Sequence, residues 1–229
     1  MLLLSKIRLY GRRQGRALKP LHHHLLDVIF PKFQLSLTDQ SVDDFLKSTV
    51  KDQELSLEVG FGGGEHLAAQ ALLFPRRFFI GCEPFVNGLI SLVQHIEEKN
   101  IENIKVIQGD ARILMTKLSD HSLKSTYILF PDPWPKKRHF KRRLIQAEVL
   151  SELWRILEDD GRIYIATDHA CYLSWILDKF AADERWQLDL EGRSNIYERP
   201  AIETWPMTRY EQKSGERQPA FLVYRKNKG

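Results

Sequence analysis

The segment Pro131-Asp132-Pro133-Trp134-Pro135-Lys136-Lys137-Arg138-His139-Phe140-Lys141-Arg142-Arg143 joins a proline-fenced carboxylate to a basic run without an acid. Proline fixes its own φ and restricts the residue before it, so Asp132 sits in a backbone with little freedom. A carboxylate held this way suits electrostatic work on positive charge that develops during a reaction. Upstream, Tyr127-Ile128-Leu129-Phe130 reads as a buried strand. Downstream, Leu144-Ile145, Val149-Leu150, Leu153 and Ile156-Leu157 recur at helical spacing. The motif is therefore expected at the carboxyl end of a strand and at the opening of a helix, where open α/β sheets place their ligands. Cations in a helix's first turn oppose its dipole, so an anion outside the chain is the expected compensation. A solvated basic face behind a proline turn is the competing reading.

A second constellation precedes it. Leu57-Glu58-Val59-Gly60-Phe61-Gly62-Gly63-Gly64-Glu65 reads as a strand, a glycine-rich turn and a helix start. Glycines such as Gly60 and Gly62 permit positive φ and let the backbone approach a ligand closely. Dinucleotide enzymes, nucleotide binders and plain tight turns all use such a loop, so it does not discriminate alone. Three acids at strand ends do more: Glu58 before the turn, Glu83 after Phe79-Ile80-Gly81-Cys82, and Asp110 after Val106-Ile107-Gln108-Gly109. A carboxylate after the second strand can accept both ribose hydroxyls. A carboxylate after the third can accept the exocyclic amine of adenine. Glu58 would suit a cationic amino-acid end and repel a pyrophosphate, which favours S-adenosylmethionine over NAD.

Strand and helix patterns alternate to position these groups. Strands are expected at 55–59, 78–82, 105–108, 125–130, 162–166, weakly near 186–190, and at 221–225. Helices are expected at 65–73, 85–98, 112–118, 143–157 and 170–182, with a short one capped by Thr38 and running through Lys47. Such alternation implies an α/β fold with a mainly parallel sheet and right-handed crossovers. The natural division is a basic arm and short helix in residues 1–50 and one catalytic domain in residues 51–229. Residues 191–218 have no clean period and are long enough for a functional loop.

Composition narrows the partners. The 229 residues, 43% of them hydrophobic, suffice for one well-buried domain plus extensions. No run approaches a membrane span, and Met1–Leu4 is too short for a secretory core. Cys82 and Cys171 lie far apart without zinc-type spacing, which favours a reduced, cytoplasmic setting. Lys6, Arg8, Arg12, Arg13, Arg16 and Lys19, with the six cations of 136–143, occupy two segments that hold no acid. The rest of the chain is acidic, so a polyanion bound at defined places is expected, and nucleic acid suits it best. A transit peptide is the competing reading of the arm. Adjacent His22, His23 and His24 point in different directions on a helix and have no acid or cysteine beside them, so no metal is expected there.

The residues 57–65, Gly81-Cys82-Glu83-Pro84, Gly109-Asp110-Ala111, 131–143, Ala166-Thr167-Asp168 and Thr208-Arg209-Tyr210-Glu211 resemble the motifs of bacterial tRNA (guanine-N7-)-methyltransferases. The resemblance spans nearly the whole chain, and Pro-Asp-Pro-Trp-Pro-Lys-Lys-Arg-His is its most specific part. It implies a Rossmann-like S-adenosylmethionine-dependent methyltransferase fold with an antiparallel last strand. It further implies that Glu58, Gly60, Gly62, Glu83, Asp110 and Asp132 contact the cofactor and that Asp132 is catalytic. Lys136, Asp168, Thr208, Arg209, Tyr210 and Glu211 would contact the substrate, and Arg138, His139, Lys141, Arg142 and Arg143 the RNA. The implied partner is tRNA, methylated on a guanine of the variable loop, by a monomer or homodimer. Phe140, where the family often has a second histidine, and the Glu211–Gly215 stretch depart from the pattern.

Guanine N7 carries an in-plane lone pair and needs no deprotonation, so alignment and electrostatics suffice for methyl transfer. A carboxylate near the base can steady a purinium and also accept from N1–H and the N2 amine. Trp134 could form an apolar wall, stack on the base or simply pack. Because the A-form major groove is too narrow for side chains, the target must be a loop nucleotide or leave its stack. Two alternatives stay open. Asp-Pro-Trp-Pro is similar to motifs of exocyclic-amine methyltransferases, and a non-catalytic RNA-binding subunit could keep a vestigial pocket.

Overall fold

The computed structural model describes residues 8–11, 13, 15, 17–48, 50, 53–200, 205, 207–213 and 217–227. The arm cations Lys6, Arg12 and Arg16 and the Ser214-Gly215 pair lie outside them. The strands are β1 (Glu54–Val59), β2 (Arg77–Cys82), β3 (Ile104–Ile107), β4 (Leu123–Leu129), β5 (Leu157–Thr167), β6 (Trp186–Leu188) and β7 (Ala220–Lys226). They form one sheet in the order β3-β2-β1-β4-β5-β7-β6. β1 pairs in parallel with β2 and β4, as do β2 with β3 and β4 with β5. β7 runs antiparallel to both β5 and β6. The mainly parallel sheet with an antiparallel last strand is therefore present.

Burial on both faces explains the near-continuous apolar strands. In β2, Phe78, Ile80 and Cys82 join one core cluster while Phe79 joins the other. The first cluster takes side chains from α3 (Asp39–Ser48), α6 (Ala111–Met115), α7 (Ala147–Ile156) and α8 (Ala170–Ala181). The second takes them from α4 (Glu65–Leu73), α5 (Val86–Lys99) and the N-terminal helical run. That run is α1 (Pro20–His24), a π-helical turn (Leu25–Ile29) and α2 (Phe30–Phe33). Leu25, Ile29 and Phe30 are buried in it, so these residues pack on the sheet. Among the described residues no helix is long and apolar enough to cross a membrane.

One expectation fails at the basic run. The helix foreseen from Arg143 begins at Ala147, while Lys137–Arg142 form a separate 3-10 helix. Arg143 itself is extended, with φ −60° and ψ 138°. Gln146, the N-cap of α7, donates its side-chain amide to the carbonyls of Phe140 at 2.9 Å and Arg143 at 3.2 Å, which ends the turn. The first turn of α7 carries Glu148, so the cations do not oppose its dipole. It is the exposure of Lys136, Lys137, Arg138 and Lys141, and not a helix dipole, that leaves them open to an external anion.

From β1 the chain builds outward through β2 and β3, then returns to add β4 and β5 on the other side. The boundary between β1 and β4 is therefore the topological switch point, where ligands of open sheets bind. The segments that leave the carboxyl ends of β1 to β4 carry Gly60, Glu83, Asp110 and Asp132.

Candidate active site

Two clefts open at this switch point, of about 340 Å³ and about 790 Å³. Glu83, Asp110 and Asp132 line the first, and Gly62, Asp168 and Thr208 line the second. Gly60, Phe130 and Tyr210 belong to both. The Phe130 and Tyr210 rings lie 5.0 Å apart and form the wall between them.

The glycine turn is built as its sequence requires. Gly60 and Gly62 have φ of 73° and 56°, a region that costs other residues strain. Glu83, 7% exposed, holds the turn from below. Its Oε2 accepts from the Gly62 N–H at 2.8 Å and its Oε1 from the Phe85 N–H at 2.9 Å. Burial pushes its pKa up, the Phe85 and Gly62 amides pull it down, and the Asp132 and Glu58 charges push it up further. A carboxylate has acceptor capacity beyond two bonds, so Glu83 can still receive hydroxyls from the cleft.

Asp110 caps α6, accepting from the Arg112 N–H at 3.0 Å. Arg112 also grips it at both oxygens, Nε to Oδ1 at 2.9 Å and Nη2 to Oδ2 at 2.6 Å. The same Nη2 donates to the Arg8 carbonyl at 3.1 Å, which ties the arm to the cleft. Arg112 was not anticipated; the Asp-x-Arg spacing across an N-cap was its available signal. Glu58 is 2% exposed, and its Oε2 is held by His66 Nδ1 at 2.8 Å. The His66 ring packs 4.8 Å from Tyr127 and 5.9 Å from Trp205, while Glu58 also lines the second cleft.

Asp132 sits between two aromatic residues with positive φ, Phe130 at 51° and Trp134 at 42°. Such angles are uncommon outside glycine and mark a loop held by its surroundings. The Asp132 side chain is exposed on the cleft wall, and its partial burial there pushes its pKa up. Trp134 is half-buried on the wall of the first cleft, and Arg142 lies 5.0 Å from its ring and 4.8 Å from that of Tyr10. His139 packs edge-on to Trp134 at 5.7 Å. Partial burial, then the Arg142, Arg138 and Lys136 cations, push the His139 pKa down.

In the second cleft, Asp168 lies one residue before His169, the N-cap of α8. Its Oδ1 meets the Tyr210 hydroxyl at 3.5 Å, and Oδ2 lies 3.7 Å from Arg217 Nη1. Oδ2 is buried without a hydrogen-bond partner in the described structure, and Asp168 lines the cleft. Thr208 and Glu211 form a capping box on α9 (Arg209–Lys213): Glu211 Oε2 accepts from the Thr208 N–H at 3.0 Å, and Thr208 Oγ1 from the Glu211 N–H at 3.3 Å. Arg199 pairs with the other oxygen of Glu211. Expected to contact substrate, Glu211 is 9% exposed and turned toward its own helix and Arg199. Arg209 is exposed, with Nε 3.9 Å from Glu65 Oε1.

The basic run divides by exposure. Lys136, Arg138 and Lys141 face outward, and His139 and Arg142 are partly covered. Arg143, expected to meet the RNA backbone, is a correction: it is 2% exposed, and its Nε donates to the Pro133 carbonyl at 3.0 Å. A group so enclosed cannot reach a phosphate in this conformation. Among the described residues no group of three or more His, Cys, Asp or Glu side chains could hold a metal.

Comparison with known proteins agrees with this geometry. A family described as "Putative methyltransferase" matches residues 52–222. A tRNA (guanine-N(7)-)-methyltransferase of Paramagnetospirillum magneticum is 41% identical over 226 residues, covering 96% of this chain and 92% of the relative. One from a Caulobacter species is 40% identical over 220 residues, 95% of this chain and 94% of the relative. Among solved structures, an antibiotic-related methyltransferase aligns with a TM-score of 0.55 at 13% identity, over 86% of this chain and 98% of its own. That likeness concerns the fold alone.

Proposed function

Because this chain belongs to the tRNA (guanine-N(7)-)-methyltransferase family, we propose that it methylates N7 of a guanine in the variable loop of tRNA, in the cytoplasm, using S-adenosylmethionine. The observation that carries this reading is that two clefts, one lined by Glu83, Asp110 and Asp132 and the other by Asp168, meet at Phe130 and Tyr210. A donor molecule and an acceptor base can thus be held on either side of one wall.

The first cleft suits S-adenosylmethionine. Buried Glu83 and Asp110 offer acceptors to hydroxyls and an amine, and the acids would oppose a pyrophosphate. When bound, S-adenosylmethionine supplies a methyl group on a positively charged sulfur. Asp132 lies where its carboxylate can steady positive charge on both donor and acceptor. Asp168 supports recognition of the base, because its Oδ2, near Arg217 but without a hydrogen bond, favours a substrate that brings donors. Guanine offers N1–H and its N2 amine, and adenine does not. The wall of Phe130 and Tyr210 aligns the base and limits water. Exposed Lys136, Arg138 and Lys141 meet phosphates and set register without reading sequence.

The test is incubation with labelled S-adenosylmethionine and unmodified total tRNA, followed by nucleoside identification. The reading predicts label in 7-methylguanosine. Label in an exocyclic N-methyl nucleoside would favour the amine reading, and no transfer despite cofactor binding would favour a non-catalytic subunit.

A further inference from the structure

We infer that Arg143 is a positioning residue, which holds the Asp132 loop in its active shape and joins it to α8. The inference rests on the assignment of Asp132 to the chemistry.

Arg143 is among the largest fully buried side chains of the molecule. Among the described residues no carboxylate pairs with it, so its charge is compensated in other ways. Its Nε donates to the Pro133 carbonyl at 3.0 Å, and its Nη2 points to the Trp134 carbonyl at 3.5 Å and to Cys171 Sγ at 3.2 Å. Three aromatic rings surround the guanidinium: Phe140 at 3.7 Å, Trp175 at 4.9 Å and Tyr172 at 5.2 Å. Burying a cation without a counter-ion is costly, and π faces with carbonyl acceptors offset that cost only where the fork fits them.

The location of those carbonyls gives the arrangement its meaning. Pro133 and Trp134 are the two residues after Asp132, and Trp134 has the positive φ of 42°. Strained backbone persists where surrounding contacts over-determine it. Arg143 supplies such contacts without lining either cleft. Its other partners, Cys171, Tyr172 and Trp175, lie on α8, the helix that follows Asp168. The box is locked to the chain beside Arg143, since Trp175 Nε1 donates to the Ile145 carbonyl at 2.7 Å and the Ile145 N–H to the Tyr172 hydroxyl at 3.3 Å. One side chain thus connects the loop of the first cleft with the helix that follows Asp168, a residue of the second.

The test is a double-mutant cycle with Asp132→Asn, Arg143→Met and the pair combined, plus Arg143→Lys. Single-turnover rates are measured at saturating S-adenosylmethionine and unmodified tRNA, and tRNA affinity across a salt series. The inference predicts that Arg143→Met lowers the rate roughly tenfold or more, with tRNA affinity and salt slope unchanged. Arg143→Lys, which keeps a cation in the box but has no fork, should recover part of the loss. The double variant should be no slower than Asp132→Asn within about twofold, because residues acting as one unit are not additive. Should Arg143→Met fail to fold, the cycle is run with Arg143→Lys, for which the same non-additivity is expected. A flattened salt slope would make Arg143 a phosphate contact, and a fully additive cycle or a wild-type rate would equally overturn the inference. If Asp132→Asn alone runs at the wild-type rate, the assignment of Asp132 fails, and the inference falls with it.

Discussion

Glu83 Oε2 accepts the Gly62 N–H at 2.8 Å, so the acid that closes β2 also fixes the turn that closes β1. The turn is fixed from a second side by α5: a Cβ on Gly88 would stand 2.3 Å from the Gly62 carbonyl oxygen. The glycine turn that borders both clefts is therefore set before a ligand arrives, which limits the ordering cost of binding.

Glu83→Gln should weaken S-adenosylmethionine binding by about 1–3 kcal/mol, the range for losing hydrogen bonds to a charged group. Burial raises the Glu83 pKa in the folded chain. Its contribution to ligand-free stability is therefore present below the ordinary carboxylate range and lost as pH rises through the raised value. Hydroxyls that donate to the ionised form act the other way, so cofactor affinity should increase with pH across that window. Calorimetric titration between about pH 5 and about pH 8 should show this slope in the wild type and its loss in Glu83→Gln. An unchanged slope in the variant would move the titrating group elsewhere.

Lys137, Arg138 and Lys141 are exposed on the 3-10 turn. Replacing all three with Ala should weaken tRNA binding and lower the log–log salt slope by about 0.7–0.9 per lost phosphate contact. Cofactor affinity should be spared. A wild-type slope in the triple variant would show that the run is only a solvated face.

Thr208→Ala should cost α9 about 0.5–2 kcal/mol, the range for losing an N-cap. Hydrogen exchange at the Glu211 and Gln212 amides should accelerate, the KM for tRNA should rise, and cofactor affinity should hold. Thr208→Ser should restore all three readouts. Unaltered exchange in Thr208→Ala would mean that Arg199 alone holds the segment.

Much of this arrangement was legible because period and position carried it. Alternating and continuous apolar runs located every strand from β1 to β7, and acids following β2, β3 and β4 had to converge once the sheet was parallel. The inward turn of Arg143 was not legible. Six cations within eight residues look alike locally, and the selecting contacts, Cys171, Tyr172 and Trp175, lie about 30 residues away on α8. The helix start was misplaced because apolar spacing continued back through Leu144, while the Gln146 side chain set the true boundary. Thr208-x-x-Glu211 carried a readable capping-box pattern that its resemblance to a substrate motif overshadowed. The covering of Trp134 by Tyr10 and Arg142 depends on where the arm folds, which no local pattern encodes.

The central claim is that Asp132 speeds methyl transfer to N7 by its charge and not as a base. The direct measurement is the single-turnover rate of wild type and Asp132→Asn from about pH 6 to about pH 9, with tRNA and S-adenosylmethionine saturating. Burial raises the Asp132 pKa, so the wild-type rate should fall only toward the acid end as the carboxylate protonates. Asp132→Asn should be slower by roughly ten- to a thousandfold, the range for one electrostatic contact made in the transition state, and flat with pH. A variant rate that climbs steeply with pH would point to a general base and an exocyclic amine. A near-wild-type rate throughout would contradict the claim and move the chemistry away from Asp132.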